Sequence, residues 1–297
     1  MRRGPFSLEQ QTMEDENRTA YGDLGVEFWA RKPIIGMVHL GPLPGSPRDT
    51  GKPGSFDTVL TRAADDARAL AEGGADAIMV ENFFDAPFAK TQVPAHTVAA
   101  LTRATLVVRE AAGLQIPVGV NCLRNDVCSA LSIAHICGAR FVRVNVFVGA
   151  AVTDQGIIEG AARDALLYRR ELGANIALWA DVFVKHAVQL GATGADGELE
   201  NAARDAAERG LADALIVSGS ATGAQTPTDT VRRVARAVPS VLVLVGSGFD
   251  AHSAAALLAA GASGAIVGTS LKANGSVSGL VEANRVRLLR TAMNHSP

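Results

Sequence analysis

The stretch Val241–Lys272, VLVLVGSGFDAHSAAALLAAGASGAIVGTSLK, decides how the rest of the chain is read. It divides into an apolar run, a Gly-Ser-Gly turn, an Ala-rich helix, a glycine, a second apolar run and Gly-Thr-Ser. A run such as Val241–Val245, without polar alternation, suits a strand covered on both faces, and the short helix returns the chain for a parallel neighbour. That is one βαβ unit. Each of its strands ends in a loop of small residues with exposed amides, a setting that can hold a phosphate.

Working outward, the unit repeats. Apolar runs at Pro33–Leu40, Ala77–Glu81, Pro117–Asn121, Phe141–Val146, Ile176–Asp181 and Ala214–Val217 read as strands one to six, with the two runs of the opening stretch as seven and eight. Helical spacing covers Phe56–Glu72, Ala95–Ala112, Asp126–Cys137, Glu159–Leu172, Leu199–Arg209 and Asp229–Val238, several closed by glycine, and Val277–Arg290 reads as the last helix. Phe147–Gly156 reads as a loop. The alternation predicts an α/β chain folded as a single (β/α)₈ TIM barrel over residues 26–297, after a flexible tail over 1–25.

Composition narrows the function. Of the 297 residues, 48% are hydrophobic, ample for a large core. A net charge of −2 with no dense basic cluster gives no electrostatic footprint for nucleic acid and argues against it as a partner. No apolar run approaches the length of a membrane span. Met1–Asn17, with Glu9, Glu14, Asp15 and Glu16, resembles neither a secretory nor a transit peptide. Cys122, Cys128 and Cys137 match no zinc motif and fit a reducing compartment. The expectation is a cytoplasmic protein with a small-molecule substrate, assembled as a homo-oligomer.

In a (β/α)₈ barrel the loops after the strands converge on one face, so polar residues at strand ends are site candidates. His39 ends strand one, Glu81 and Asn82 strand two, Asn121 strand three, Asn145 strand four, Asp181 strand five and Ser218 strand six, with Lys185 and His186 just beyond strand five. Glu81 and Asp181 would face each other across the mouth as two carboxylates, one for acid–base work. With His39 they would also make an oxygen-rich site for Mg²⁺ or another divalent cation, although no short ligand motif supports one. Lys185 reads as a Schiff-base nucleophile, a phosphate counter-charge or a solvated lysine. Gly246, Ser247 and Gly248, together with Gly268, Thr269 and Ser270, supply amides and hydroxyls for an anion, and Ser218, Gly219 and Thr222 would close a third side.

The motifs IIGMVHLGPLPGSP (Ile34–Pro47), GADAIMVENFFDAPF (Gly74–Phe88), PVGVNCLRND (Pro117–Asp126), FVRVNVFVGAAVTDQGIIEG (Phe141–Gly160), ADVFVKHA (Ala180–Ala187), ALIVSGSATG (Ala214–Gly223) and VGSGFD (Val245–Asp250) resemble the BtpA family, which is named for a cyanobacterial photosystem I biogenesis protein. The resemblance runs from about Pro33 to the end of the chain. The family label describes a photosystem assembly role, while many members look like enzymes, and taken with the strand-end residues and anion loops two functions are expected. The first is an enzyme acting on a phosphorylated sugar or nucleoside-type compound, a hydrolase or lyase cleaving a glycosidic or C–C bond, with sugar-phosphate isomerisation as the alternative chemistry. The second is a non-catalytic assembly or stability factor that uses the barrel as a scaffold.

Overall fold

The computed structural model describes residues 24–191 and 195–294. The tail expected over residues 1–25 lies almost wholly outside them, and so does part of the segment after strand five. From the N-terminal side come α1 (Val26–Ala30), β1 (Ile34–His39), α2 (Ser55–Gly73), β2 (Ala77–Glu81), α3 (Ala95–Ala112), β3 (Val118–Asn121), α4 (Val127–Cys137) and β4 (Phe141–Val144). A hairpin follows, β5 (Ala150–Thr153) and β6 (Gly156–Glu159), then α5 (Ala162–Glu171), β7 (Ala177–Val182) and the short β8 (Val188–Gln189). The chain ends with α6 (Glu198–Arg204), β9 (Ala214–Val217), α7 (Thr228–Ala237), β10 (Leu242–Val245), α8 (Ala254–Ala259), β11 (Gly264–Val267) and α9 (Ala283–Asn294).

Eight strands close a parallel barrel in the order β1-β11-β10-β9-β7-β4-β3-β2, so the (β/α)₈ TIM barrel is the fold. Successive strand residues point to opposite sides of the sheet. One set, including Val38, Val80, Val142, Leu178, Leu215 and Val243, meets the helices in the main core. The other set fills the barrel: Ile35, Met37, Met79, Phe141, Trp179, Ile216, Leu244 and Ile266 pack together there. Phe141 stacks on Trp179 with centroids 3.8 Å apart, and Trp29 of α1 meets Trp179 edge-on at 5.8 Å, closing the N-terminal end of the barrel. Gly119 is required beside this stack, because a Cβ there would lie 2.0 Å from the Phe141 ring.

Two expected elements are redrawn. Phe147–Gly156 is no loop and Glu159 does not begin a helix: β5 pairs antiparallel with β6 and with β8, forming a three-stranded sheet, and α5 starts at Ala162. One residue of each strand is buried, Ala151 and Ile158, and with Val146 and Val184 they form a small core beneath the sheet. The last helix begins at Ala283 rather than Val277: Lys272 and Val281 form an antiparallel bridge, and the chain between them turns back through a short 3-10 segment at Ala273–Gly275. No helix among the described residues is long and apolar enough to cross a membrane.

Candidate functional site

The alternation that fills the barrel also builds its mouth. Two residues beyond Met37, Met79, Phe141 and Trp179 on their strands come His39, Glu81, Arg143 and Asp181, and beyond Arg143 comes Asn145. An inward-facing position thus turns from apolar to polar near the C-terminal end of the strands. All five side chains are buried.

Arg143 is the member that strand-end reasoning missed. Its Nε donates to Asp181 Oδ2 at 2.9 Å and its Nη2 to Oδ1 at 2.7 Å, a bidentate pair in which both side chains are almost wholly buried. Asn145 Nδ2 adds a third bond to Asp181 Oδ2 at 2.8 Å. Asp181 is therefore closed by its neighbours and does not line the mouth cavity, whereas Arg143 does. The expected pair of facing carboxylates is replaced by one carboxylate, Glu81, and an internally neutralised Arg143–Asp181 pair. A charged residue inside the apolar run FVRVNV, two positions before Asn145 and of the same parity, was the available signal for Arg143.

Glu81 lines the cavity and accepts from Asn121 Nδ2 at 2.6 Å. Asn121 thereby orients Glu81 and is not itself on the wall. Asn82 is also set back: its Oδ1 accepts from the Leu123 amide at 2.8 Å and its Nδ2 donates to Asp85, tying two loops together. His39 packs against the Phe83 ring with centroids 4.6 Å apart, and its buried Nδ1 has no partner among the described residues. Burial, with Lys272, Lys185 and Arg143 nearby, holds this imidazole well below its ordinary pKa, so it is neutral at neutral pH.

Lys185 lines the same cavity, and burial followed by the repulsion of Arg143 lowers its pKa to about 8. His186 turns away: its Nε2 sits 3.1 Å from the Thr222 hydroxyl. Lys272, which ends the opening stretch of the sequence, is fully buried outside the cavity wall, and its Nζ donates to the Val277 carbonyl at 3.1 Å. Burial lowers its pKa to about 8 as well.

The other arc of the wall is made by the loops after β9, β10 and β11, with Thr222, Gly246, Ser247, Gly248, Thr269 and Ser270 among its residues. Several of these polar groups are already committed to loop–loop ties. Ser247 Oγ accepts from the Gly219 amide at 2.7 Å and donates to the Ala224 carbonyl at 3.1 Å, and Ser270 Oγ donates to the Phe249 carbonyl at 2.8 Å. Ser218 is set back, its buried hydroxyl unpartnered among the described residues. Two of the glycines make room. A Cβ on Gly246 would lie 2.5 Å from Ile216 Cγ2 and 2.6 Å from Ser218 Oγ, and one on Gly268 would lie 2.9 Å from His39 Cε1. Asp250, also on the wall, accepts from the amides of His252 and Ser253 and so caps the turn before α8. The space enclosed is about 470 Å³, the size of a small-molecule site.

The three residues expected to hold a divalent cation, His39, Glu81 and Asp181, do not come together as a ligand set. Asp181 has spent its oxygens on Arg143 and Asn145, and no three His, Cys, Asp or Glu side chains among the described residues are grouped to hold a metal ion.

Fold and cavity together define a (β/α)₈ barrel with a small-molecule pocket at the C-terminal mouth. The chain belongs to the BtpA family, whose model matches residues 30–295. It is 45% identical over 272 residues to the photosystem I biogenesis protein BtpA of Synechocystis sp., covering 91% of both chains. Among solved structures, thiamine phosphate pyrophosphorylase from Pyrococcus furiosus superposes with a TM-score of 0.54 at 14% identity, covering 91% of this chain and 98% of that one. N-(5'-phosphoribosyl)anthranilate isomerase from Pyrococcus furiosus gives a TM-score of 0.54 at 13% identity, covering 88% and 98%. At these identities the two structures speak for the barrel alone.

Proposed function

We propose that the protein is an enzyme that binds a phosphorylated sugar or nucleoside-type molecule in the mouth cavity and cleaves it. The observation that carries this reading is the convergence, on one wall, of a single carboxylate (Glu81), a neutral imidazole (His39) and an amine of lowered pKa (Lys185). Titratable groups displaced in this way, gathered in a cleft, mark sites of proton transfer. Facing them, the loops after β9 to β11 give the phosphate its seat, through the small residues at 246–248 and 268–270. The two barrels above carry phosphate in the names of their activity or product, and that analogy supports the same reading.

Within the cleavage chemistries, C–C cleavage fits better than glycosidic cleavage. Glycosidic cleavage by the usual route sets two carboxylates on either side of the scissile bond. Here Asp181 is closed by Arg143 and Glu81 works alone. Isomerisation, which needs one base and one electrophile, uses the same set and is the second catalytic reading.

A thermal-shift screen tests the proposal, comparing dihydroxyacetone phosphate, ribose 5-phosphate and uridine monophosphate with their unphosphorylated counterparts, with and without Mg²⁺. A ligand at a hundred times its Kd adds about 2.7 kcal/mol of native-state stability. That corresponds to a rise in Tm of roughly 5 °C or more for a domain of this size. The proposal fails if the phosphorylated compounds leave Tm unchanged while unphosphorylated ones raise it.

One observation favours the scaffold reading. Ile157, Val152 and Val188 stand in one cross-strand row of the three-stranded sheet and are 46%, 41% and 70% exposed. Val188→Lys separates the readings: under the enzyme reading ligand shifts are unchanged, and under the scaffold reading the variant loses its function while Glu81→Gln retains it.

A further inference from the structure

From the placement of Lys185 we infer that it is a covalent catalyst, condensing through Nζ with the carbonyl carbon of a phosphorylated ketone or aldehyde. This rests on the proposed function and narrows its substrate class to carbonyl compounds.

The position of Lys185 is built rather than incidental. It follows Asp181 by four residues, on a loop whose backbone takes left-handed conformations at Phe183 (φ 54°) and His186 (φ 57°) on either side of it. Such conformations are uncommon for bulky residues and persist where the surroundings impose them. Arg124, itself buried, clamps the loop by donating Nη2 to the Lys185 carbonyl at 2.9 Å. The side chain is left to line the cavity, with no hydrogen-bond or ion-pair partner among the described residues.

A lysine serving as a phosphate counter-charge needs to stay protonated. Burial beside Arg143 works against this, drawing the pKa to about 8, so that a fraction of the amine is free near neutral pH and more as pH rises. Glu81 stands on the same wall as the only strand-end carboxylate there. The step balances without a co-reactant. The amine nitrogen bonds to the carbonyl carbon, the oxygen departs as water with the two amine hydrogens, and a proton from solvent completes the iminium. Glu81 then takes the proton of a hydroxyl on the carbon β to the iminium. The bond between the carbons α and β to the iminium breaks, its electron pair forms the new C=C bond as the C=N pair moves onto nitrogen, and an aldehyde and an enamine result.

Borohydride trapping tests this on the full-length protein. Dihydroxyacetone phosphate, glyceraldehyde 3-phosphate and ribose 5-phosphate are each incubated with the protein and sodium borohydride, and the modified lysine is located by peptide mass mapping. Tm is measured in parallel without borohydride. The expected result is an adduct on Lys185, at least tenfold above that on Lys272 or any surface lysine, and its loss in Lys185→Arg. Because mapping on the unmodified sequence already assigns the lysine, a variant that fails to fold leaves the test intact. A raised Tm with no adduct on Lys185 overturns the covalent role and leaves the phosphate site standing. No adduct and no change in Tm overturns both, and an adduct formed equally with dihydroxyacetone supports Lys185 while overturning the phosphate requirement.

Discussion

At the scale of single residues, the two acidic side chains read from the strand ends have different fates. Removing one partner of a buried ion pair leaves an uncompensated charge and costs about 3–5 kcal/mol. Asp181→Asn, which strands Arg143 with both side chains nearly inaccessible, should therefore lower the free energy of unfolding by an amount in that range and the denaturation midpoint with it. Glu81→Gln keeps a carbonyl to accept from Asn121, so it should leave the midpoint close to that of the parent and abolish turnover of any ligand the thermal screen identifies. Denaturation curves on the two variants check the contrast. The pH dependence of Lys185 follows from its neutral form: a group lowered to about 8 gains nucleophilicity as pH rises through 8. Labelling of Lys185 by an amine-reactive reagent should climb with a midpoint near pH 8, and a midpoint above 10, the ordinary lysine range, would contradict its burial.

At the scale of elements, the stretch Val241–Lys272 supplied two strands, the turn between them and the frame for the rest, because buried parallel strands are continuous apolar runs that need no partner to be recognised. The hairpin β5–β6 was illegible for the converse reason. Its four-residue strands are half exposed, and its pairing with β8 joins positions more than thirty residues apart on different loops. The strand-end polar residues were found, but their division into wall and support was not. Asn82, Asn121 and Asn145 differ from Glu81 and Lys185 only in what they bond to, which depends on the neighbouring loop and strand. Loop–loop ties were equally hidden: Ser247, expected as a phosphate ligand, also joins the loops after β9 and β10. Ser247→Ala strands the Gly219 amide, and should lower stability by about 1–3 kcal/mol and loosen the cavity wall, giving weaker ligand shifts. A stability within experimental error of the parent would show that water replaces the hydroxyl.

At the scale of the whole molecule, the barrel carries its larger cavity at the C-terminal mouth. The mouth cavity joins the Glu81 and Lys185 wall to the loops after β9, β10 and β11. A smaller cleft of about 260 Å³, beside the start of β3, is lined by Arg109 and Arg140 among others. Where a sugar phosphate binds is thus the most direct test, and a crystal structure of the full chain with ribose 5-phosphate or dihydroxyacetone phosphate reads it. The predicted result is density in the mouth cavity, with phosphate against residues 246–248 and 268–270 and the carbon chain reaching toward Glu81 and Lys185. Ligand bound only in the Arg109–Arg140 cleft, or a mouth cavity without ligand in saturated crystals, would contradict it.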